Sequence, residues 1–256
     1  MGNLFDLTGQ VAVITGSSRG IGKAIAHRMA EHGAHVVVSS RKADACDAAV
    51  AEINEAVGRD AAVACPANIS AKEDLQRLAD FALARFGMVT ALVLNAASNP
   101  YFGPMTGIAD EQFVKILMNN VVSNHWLIQM LAPQMLERGE GSITVISSVG
   151  GLKASTVIGA YNVSKAADLQ LVRNYAAEFG PRGVTVNAIC PGLIQTDFAR
   201  ALWENPEILQ AATAGSALRR IGQPDEIAGL AVFLAAKAGS FTTGQGFVVD
   251  GGATIV

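Results

Sequence analysis

The sequence QVAVITGSSRGIGKAIAHRMAEH, residues 10–32, decides the fold. Its first six residues are an apolar run rich in β-branched side chains, the next seven include three glycines, and the last ten carry apolar residues at helical spacing. A strand, a glycine turn and a helix in this order form the first half of a unit that joins two parallel strands. We therefore expect a strand at residues 10–15 and a helix at residues 23–32.

The glycine turn, residues 16–22, has the composition of a phosphate-binding turn. Glycines let the backbone approach a pyrophosphate, and the following helix offers unpaired N–H groups and the positive end of its dipole. Three glycines also suit a tight turn with no ligand, so the neighbouring sequence has to decide. The residues that we assign here to a dinucleotide are Gly16, Ser18, Arg19, Gly20, Ile21 and Gly22.

The second strand, residues 35–40, indicates which dinucleotide is bound. An NAD-binding unit places an acid at the end of this strand for the ribose 2′-hydroxyl, but here the chain has Ser40, Arg41 and Lys42. Guanidinium groups pair well with phosphate oxygens, and Arg19 adds a further positive charge. The alternative for Arg41 and Lys42 is a solvated helix start, although cations are unfavourable at a helix N-terminus. The pattern favours NADP(H) over NADH.

Strands and helices alternate along the rest of the chain. Further strands are predicted at residues 61–65, 91–94, 142–147, 184–189 and 246–250, and further helices at residues 43–57, 70–86 and 110–137, around Tyr161 and from Pro224 onwards. Ser70 and Glu73 are expected to form a capping box, and Pro133 to kink the long helix. The alternation predicts right-handed crossovers and a seven-stranded parallel sheet covered on both faces. The fold class is therefore α/β, with residues 1–256 forming one doubly wound, Rossmann-type domain.

Residues 193–217 do not follow this alternation. The stretch is irregular in pattern and comes after the sixth predicted strand, so it is expected to overhang the carboxyl edge of the sheet. Its apolar side chains, Phe198 and Trp203 among them, would either line an apolar pocket or pack the stretch against the body of the domain. We name residues 193–217 the lid and expect it to contact the substrate.

Tyr161 and Lys165 form the clearest catalytic pattern. Residues four apart on a helix share a face, so a phenol and an ammonium would point into one site. A nearby cation lowers the pKa of a tyrosine, which makes it a better proton donor to a carbonyl. The alternative is an accidental pair on an amphipathic helix. Ser148 ends the fifth predicted strand, where it would meet Tyr161, and Asn120 lies inside an apolar helix and needs a polar partner.

The composition argues against several function classes. Charged residues make up 16% of the chain and the net charge is −3, so no basic surface for nucleic acid is expected. Cys46, Cys65 and Cys190 lack CxxC spacing and the histidines lack a ligand pattern, which predicts neither a disulfide framework nor a metal. Polar residues and prolines interrupt the uncharged run 86–109, so no membrane span is expected. Asp6 argues against a secretory signal, and a cytoplasmic location is expected.

Short motifs follow one another in a characteristic order along the chain. They are Thr15-Gly16-x-x-x-Gly20-Ile21-Gly22, Asn95-Ala96-Ala97, Asn120, Ser147-Ser148, Tyr161-x-x-Ser164-Lys165, Asn187 and Pro191-Gly192. In this order and spacing, the chain resembles the classical short-chain dehydrogenase/reductase family over essentially its whole length. Ala97 departs from the glycine usual in the family, and Asn68 from the usual aspartate.

The resemblance implies a catalytic tetrad of Asn120, Ser148, Tyr161 and Lys165. Tyr161 would be the general acid, Ser148 would hydrogen-bond the carbonyl oxygen, Lys165 would hold the nicotinamide ribose, and Asn120 would anchor a water in a proton relay. Ser147 is the alternative serine, but the family's usual spacing to the tyrosine points to Ser148. The further cofactor-binding residues implied are Ser40, Arg41, Lys42, Asn68, Ile69, Asn95, Ala96, Tyr161, Lys165, Pro191, Gly192, Ile194 and Thr196. Asn68 is expected either to contact the adenine or to form a turn.

Within the family, three segments look like the NADPH-dependent carbonyl and retinal reductases. They are residues 38–42, 95–103 and 191–203. This resemblance implies a small-molecule ketone or aldehyde substrate. The alternatives are a reductase of 3-oxoacyl thioesters on acyl carrier protein, an NAD-dependent alcohol dehydrogenase, and a non-catalytic cofactor-binding scaffold.

The resemblance also implies a homotetramer, with a dimer as the second choice. The long helix and the Tyr161 helix would form the subunit interfaces. Both carry more apolar residues than one sheet face is expected to cover, including Trp126, Leu127, Met130, Leu169 and Leu171.

Overall fold

Strand β1 (Val11–Thr15), which precedes the glycine turn, lies inside a seven-stranded parallel sheet. The computed structural model describes residues 2–256, apart from the side chain of Ala201. The other strands are β2 (His35–Ser39), β3 (Ala62–Ala64), β4 (Ala91–Leu94), β5 (Gly141–Ile146), β6 (Val184–Pro191) and β7 (Gly246–Val249). Their order in the sheet is β3-β2-β1-β4-β5-β6-β7, and all neighbouring strands are parallel.

Helices cover both faces of the sheet. One face packs against α1 (Gly20–Glu31), α2 (Ala43–Val57) and α8 (Pro224–Ala235), and the other against α3 (Lys72–Phe86), α5 (Ser123–Arg138) and α6 (Gly159–Phe179). Alternate side chains of a strand point to opposite faces, so β1 contributes Ile14 to one core and Val13 to the other. The predicted fold, a single doubly wound α/β domain with a seven-stranded parallel sheet, is confirmed.

The strand order reverses at β1, which pairs with β2 on one side and with β4 on the other. In open parallel sheets, the loops that leave neighbouring strands at such a point run in opposite directions and open a crevice at the carboxyl ends. The glycine turn follows β1, and the segment that leads to Tyr161 follows β5, at this same edge. The topology therefore brings the predicted cofactor turn and the predicted catalytic pair to one crevice.

The helix predicted at residues 110–137 is interrupted in the structure. A first helix, α4 (Asp110–Leu117), ends before a π-helical turn at Met118–Val122, after which α5 begins. Within this region the side chains of Ser123 and Asn124 donate hydrogen bonds of 2.6 Å to carbonyl oxygens four residues earlier. Side chains thus take part in the backbone ladder where the turn widens, which apolar periodicity does not reveal. Pro133 lies inside α5.

The capping box predicted from Ser70 and Glu73 is wrong. Helix α3 begins after Ala71, which has no side-chain cap. The Ser70 hydroxyl instead donates a hydrogen bond of 2.8 Å to Oδ1 of Asn119, in the π-helical turn. A tertiary partner has therefore displaced the local one.

The lid is more regular than its sequence pattern predicts. A 3-10 helix at Asp197–Leu202 is followed by α7 (Pro206–Ala214). The Asn205 side chain accepts hydrogen bonds from the first N–H groups of α7, and Pro206 occupies the first helical turn, where its missing N–H costs nothing. The Asn-Pro pair is the sequence signal that predicts this helix.

Neither a disulfide nor a cluster of metal-binding side chains occurs in the part of the chain that the structure describes. The three cysteines are free, with Cys46 and Cys190 buried and Cys65 partly buried. Across residues 2–256, no three His, Cys, Asp or Glu side chains are grouped closely enough to hold a metal ion. No helix in that part of the chain combines the length and the apolar composition needed to cross a bilayer.

Candidate active site

The glycine turn is too tight for side chains at its glycines. Gly16 and Gly20 have positive φ angles of 65° and 57°, and a Cβ on Gly22 would lie 2.4 Å from the Gly16 carbonyl oxygen. Ser18 and Ile21 are half-buried in the same turn. Helix α1 has no side-chain cap, so its first N–H groups are available to a ligand. The turn therefore fits the pyrophosphate of a dinucleotide.

The cations predicted for a 2′-phosphate are exposed. Arg41 and Lys42 follow Ser40 between β2 and α2. Arg19 is 71% exposed, and its Nη1 lies 3.0 Å from Oδ2 of Asp197 in the lid. A phosphate at this edge would compete with Asp197 for the Arg19 guanidinium.

Asn95, at the end of β4, supports the glycine turn directly. Its side-chain amide donates to the carbonyl oxygens of Thr15 and Gly16, at 2.9 and 3.0 Å. The backbone N–H groups of Asn95 and Ala96 both donate to the Thr15 hydroxyl, at 3.0 and 3.1 Å. Asn95 thus shapes the glycine turn, and the hydroxyl of Thr15, the first residue of the glycine motif, has a supporting role that the sequence did not assign to it.

Asn68 has the structure of a turn-forming residue. Its Oδ1 accepts a hydrogen bond of 3.2 Å from the backbone N–H of Ser70, and its own N–H donates to Asp74 at 2.9 Å. Asn68 and Ile69 are both half-buried beyond β3. Of the two roles expected for Asn68, the turn is the one seen directly.

The segment after β6 reaches back to the glycine turn. Pro191 is the last residue of β6, Gly192 follows it, and Ile194 is buried. A Cβ on Gly20 would lie 3.2 Å from Cγ2 of Thr196. The structure therefore places Thr196 against the turn, beside the other residues predicted to hold the cofactor.

Ser148, Tyr161 and Lys165 meet at the carboxyl end of β5. Ser148 begins a short 3-10 helix, and its hydroxyl oxygen accepts a hydrogen bond of 2.9 Å from the Gly150 N–H. Tyr161 lies in the first turn of α6, with Lys165 one turn later and its Nζ 5.6 Å from the centre of the Tyr161 ring. Lys165 is only 2% exposed, and its Nζ donates to the carbonyl oxygen of Ile146 at 2.8 Å.

Burial has the largest effect on the pKa of Tyr161. It raises the pKa of the phenol, and Asp168 acts in the same direction, while the Lys165 ammonium and the Ser148 hydroxyl lower it less than burial raises it. The expected lowering of the Tyr161 pKa by Lys165 is therefore present, but burial outweighs it and the net direction in the protein without cofactor is upward. Burial alone would lower the pKa of Lys165, but the Asp168 and Tyr161 charges raise it above its ordinary value. Part of the Tyr161 side chain remains exposed, and solvent there moderates the effect of burial.

Asn120 has the polar partners that its position requires. Its side-chain amide donates to the Ser98 carbonyl oxygen and to the Ser164 hydroxyl, both at 3.0 Å, and accepts from the Ser98 N–H at 2.8 Å. Its backbone carbonyl oxygen accepts the Asn124 side-chain amide at 2.6 Å. Asn120 is fully buried in the π-helical turn, which joins the loop after β4 to helix α6.

Two buried polar residues near the predicted tetrad were not predicted. Asp168 lies one turn after Lys165 on α6, and its Oδ2 is 3.0 Å from Lys165 Nζ. Its Oδ1 accepts the Asn124 amide at 3.1 Å. Asp168 is 0% exposed and Asn124 is 3% exposed. The only sequence signal was the spacing, since an acid three residues after a lysine shares its face of a helix.

Ser147 and the lid complete the surroundings. The buried Ser147 hydroxyl donates to the Lys165 carbonyl oxygen at 2.9 Å, which leaves Ser148 as the serine on the Tyr161 side. In the lid, Phe198 is 58% exposed and its ring centre lies 6.1 Å from that of Tyr161. The Trp203 indole donates to the Thr196 carbonyl oxygen at 2.9 Å and ties the lid to the segment beside the glycine turn.

Comparisons with known proteins agree on one family. A family model described as enoyl-(acyl carrier protein) reductase matches residues 16–254. The chain is 40% identical over 246 residues to dehydrogenase/reductase SDR family member 4 of Mus musculus. The aligned region covers 96% of this chain and 88% of that protein.

Solved structures extend this similarity to the whole fold. A 7 alpha-hydroxysteroid dehydrogenase complexed with NADH and 7-oxo glycochenodeoxycholic acid is 39% identical, with a TM-score of 0.93 and 98% of each chain covered. A gluconate 5-dehydrogenase of Burkholderia cenocepacia in complex with NADP and tartrate is 30% identical, with a TM-score of 0.93, covering 99% of this chain and 98% of that one.

Proposed function

The chain belongs to the classical short-chain dehydrogenase/reductase family of oxidoreductases, and from this premise we propose that it reduces a ketone or an aldehyde with NADP(H). The observation that carries the proposal is the meeting of Ser148, Tyr161 and Lys165 at the crevice that the glycine turn also borders. A proton donor, a hydrogen-bond donor and a cation at the edge of a dinucleotide cradle suit carbonyl reduction.

Tyr161 and Ser148 act on the carbonyl oxygen. When bound, NADPH supplies the hydride for the carbonyl carbon. The Tyr161 phenol donates its proton to the oxygen, which becomes basic as negative charge develops on it. The Ser148 hydroxyl oxygen accepts the Gly150 N–H, so its own hydrogen is free to point at the same oxygen. The two donors would stabilise the charge where it grows.

Lys165 holds the ribose of the nicotinamide. An ammonium has three N–H donors, and two of those of Lys165 point to Ile146 and Asp168. The third is left for a ribose hydroxyl. Asn120 acts indirectly, because its side chain is committed to Ser98 and Ser164. Asn120 holds α6 and the loop after β4 in fixed positions relative to each other.

The preference for NADP(H) is supported by charge at the end of β2. Ser40 stands where an acid would bind a ribose 2′-hydroxyl, and Arg41, Lys42 and Arg19 supply positive charge for a 2′-phosphate. Related structures contain either dinucleotide, NADH in one and NADP in the other, so family membership alone does not determine the choice. An NAD-dependent alcohol dehydrogenase is the alternative.

Arg41→Asp tests the choice of cofactor. The variant is expected to weaken NADPH binding by about 10- to 100-fold, because it replaces a charge-assisted contact of about 1.5–3 kcal/mol with a repulsion. NADH binding should change little. Fluorescence titration with both dinucleotides measures the ratio, with Arg85→Asp, an exposed position on α3, as the control. An unchanged ratio in Arg41→Asp would show that Arg41 does not read the 2′-phosphate.

The lid supports an apolar substrate. Phe198, Leu202 and Ile208 are 58%, 43% and 43% exposed, so each leaves a large part of its apolar surface uncovered by the domain. Exposed apolar side chains over a crevice are available to an apolar ligand. Free ketones and aldehydes are thus the proposed substrate class, and we propose the lid as the segment that selects among them.

Reduction of a 3-oxoacyl thioester is the second candidate, since the matching family model carries the description of an acyl-carrier-protein reductase. Rates of NADPH and NADH consumption with free ketones, aldehydes and acetoacetyl thioesters distinguish the two. We expect turnover of free carbonyl compounds with NADPH favoured. Turnover of thioesters alone would favour the second candidate. Binding of NADPH without turnover of any compound would favour a non-catalytic scaffold.

A homotetramer is the proposed assembly, and its surface differs in part from the one expected. Trp126, Met130 and Leu171 are half-buried and keep some exposed surface, as expected. Leu127 is 0% exposed and Leu169 is 6% exposed, so both belong to the core of their own subunit. The exposed apolar side chains on these helices are instead Val114, Met118 and Val163. Light scattering is expected to give a tetramer, with a dimer as the second choice, and a monomer would contradict the proposal. The cytoplasm is the proposed location.

A further inference from the structure

Asp168 is a buried acid that the mechanism above does not use. Its Oδ2 lies 3.0 Å from Lys165 Nζ, and its Oδ1 accepts the Asn124 amide at 3.1 Å. The same Asn124 amide lies 2.6 Å from the backbone carbonyl oxygen of Asn120. Asp168 is thus joined directly to Lys165 and, through Asn124, to Asn120. A carboxylate with both oxygens engaged and no solvent contact has a single orientation.

The contacts of Asp168 and Asn124 lie beside the atoms expected to serve a water-based relay. The Asn120 carbonyl oxygen accepts the Asn124 amide, and one donor of Lys165 points to Asp168. A carbonyl oxygen has a second lone pair and an ammonium a third donor, so these contacts are compatible with a water at Asn120. The buried Asp168 carboxyl is therefore an addition to the expected tetrad.

The charges around this pair are few. On α6 the titratable groups that face Lys165 are Tyr161 and Asp168, and β6 adds the buried Cys190 thiol. Helix α5 contributes the neutral Asn124. Burial raises the pKa of the Asp168 carboxyl by more than the Lys165 ammonium and the Asn124 amide lower it, so the net direction is upward. Asp168 is therefore the one acidic side chain that faces Lys165 among the described residues.

We propose that Asp168 is a positioning residue that anchors the Lys165 ammonium and offsets its charge, so that Tyr161 stays in the protonated form that carbonyl reduction requires. The inference rests on the proposed function. A lone cation beside a phenol stabilises the phenolate, which is the base needed for alcohol oxidation. A cation whose charge is offset by a neighbouring carboxylate stabilises the phenolate less. Asp168 thus keeps a larger fraction of Tyr161 protonated at a given pH.

The raised pKa of Tyr161 agrees with this direction, since Asp168 is among the groups that raise it. A purely structural acid would hold α6 against α5 without changing the protonation of Tyr161. The two roles therefore differ in a titration and not only in stability.

The first test is a titration of Tyr161 without substrate or turnover. Tyrosinate absorbance of the wild type minus that of Tyr161→Phe isolates Tyr161 from the other two tyrosines. In the wild type, the titration midpoint of Tyr161 is expected to lie above the ordinary tyrosine pKa of about 10. In Asp168→Asn, which removes the charge and keeps the shape, the midpoint should move to lower pH. Asp168→Glu restores the charge and should move it back.

The second test compares the pH profiles of kcat, at saturating substrate, in the two reaction directions. In Asp168→Asn, the pH at which kcat for alcohol oxidation rises is expected to move about one unit lower, because Tyr161 ionises more readily. The matched control is Asp225→Asn, which makes the same chemical change in a partly exposed pair with Arg28. Its profiles should coincide with those of the wild type.

Three results would overturn the inference. One is a Tyr161 midpoint below the ordinary value in the wild type, which needs no folded Asp168 variant. Another is an unchanged midpoint in a folded Asp168→Asn. The third is an equal effect of Asp168→Asn and Asp168→Glu, which would indicate packing instead of charge. Because the titration involves no substrate, a shifted midpoint without any carbonyl turnover would leave the inference standing and remove only the proposed function.

Discussion

The floor of the site and the lid above it are built in opposite ways. We call Asn120, Ser148, Tyr161, Lys165 and Asp168 the floor. Its lysine, aspartate and asparagine are at most 2% exposed and are held by tertiary hydrogen bonds. The lid, residues 193–217, presents apolar side chains that are 43–58% exposed, and the Arg19–Asp197 pair that joins it to the glycine turn is exposed.

This difference assigns separate tasks to the two regions. Ion pairs in water contribute little, whereas a buried pair cannot lose one partner without leaving an uncompensated charge. The floor is therefore fixed before any ligand arrives, and in the proposed function it carries out the reaction. The lid can rearrange at small cost, and in the proposed function its exposed side chains select the carbonyl compound.

Tyr161→Phe should have the largest effect and should act on the floor alone. Loss of a general acid typically lowers turnover by about 100- to 10,000-fold. NADPH binding and the melting temperature should stay near those of the wild type, because the ring is retained. Turnover, fluorescence titration and thermal unfolding measure the three quantities. Tyr175→Phe on the same helix is the control, and a loss below tenfold in Tyr161→Phe would remove this residue from its role.

Lys165→Met compares the buried pair of the floor with an exposed pair of the lid. The change leaves Asp168 buried without its partner, so the free energy of unfolding should fall by about 3–5 kcal/mol in urea. Arg200→Met is the matched change in the lid, where the Arg200–Asp197 pair is 56% and 42% exposed. It should leave stability nearly unchanged. Similar losses in both variants would show that the two regions do not differ in this way.

Phe198→Ala tests whether the lid selects the substrate. Loss of the ring should lower kcat/KM for bulky apolar ketones by about tenfold, a typical result of removing apolar contact in a pocket. The titration of Tyr161 should not change. Phe241→Ala is the control, since Phe241 is fully exposed. If the smallest ketone lost as much as the bulkiest one, Phe198 would be supporting Tyr161 instead of reading the substrate.

The smallest effect is expected at Glu226, in the first turn of α8, which follows the lid in the sequence. Arg220 and the N–H of Gln223 lower the pKa of Glu226 to about 2, from an ordinary 4.5. A carboxyl with a lowered pKa in the folded state stabilises above its unfolded pKa, and this contribution is lost as pH falls toward about 2. The melting temperature of Glu226→Gln should therefore be slightly below that of the wild type near pH 6, and the gap should close below pH 4.5. Glu55→Gln, at an exposed position of α2, is the control variant, and a gap that widens in acid for Glu226→Gln would contradict this assignment.

The fold and most of the floor could be predicted because they depend on repeating local patterns. The sequence around β1 and α1, the alternation of elements and the spacing of Tyr161 and Lys165 each have one simple structural solution. The π-helical turn at Met118–Val122 and the displaced cap at Ser70 depend on partners distant in sequence. No local pattern encodes such partners.

The net direction of the Tyr161 pKa shift could not be predicted from the sequence for a different reason. Proximity to Lys165 predicts a lowered value, and the spacing of the two residues is correct. The net direction is set by burial, with Asp168 as a further contribution, and neither is visible in the spacing. The spacing of three residues places Asp168 on the same helix face as Lys165, but only packing shows that the pair is buried.

The most direct test of the central claim is transfer of deuterium from NADPH labelled at C4 of the nicotinamide to a panel of ketones and aldehydes, followed by mass spectrometry of the alcohols. The wild type should place one deuterium on the former carbonyl carbon of at least one apolar substrate. Tyr161→Phe should bind the labelled NADPH and give almost no labelled alcohol. Labelled alcohol at equal rates from both proteins, or none from the wild type with any carbonyl compound, would contradict the account.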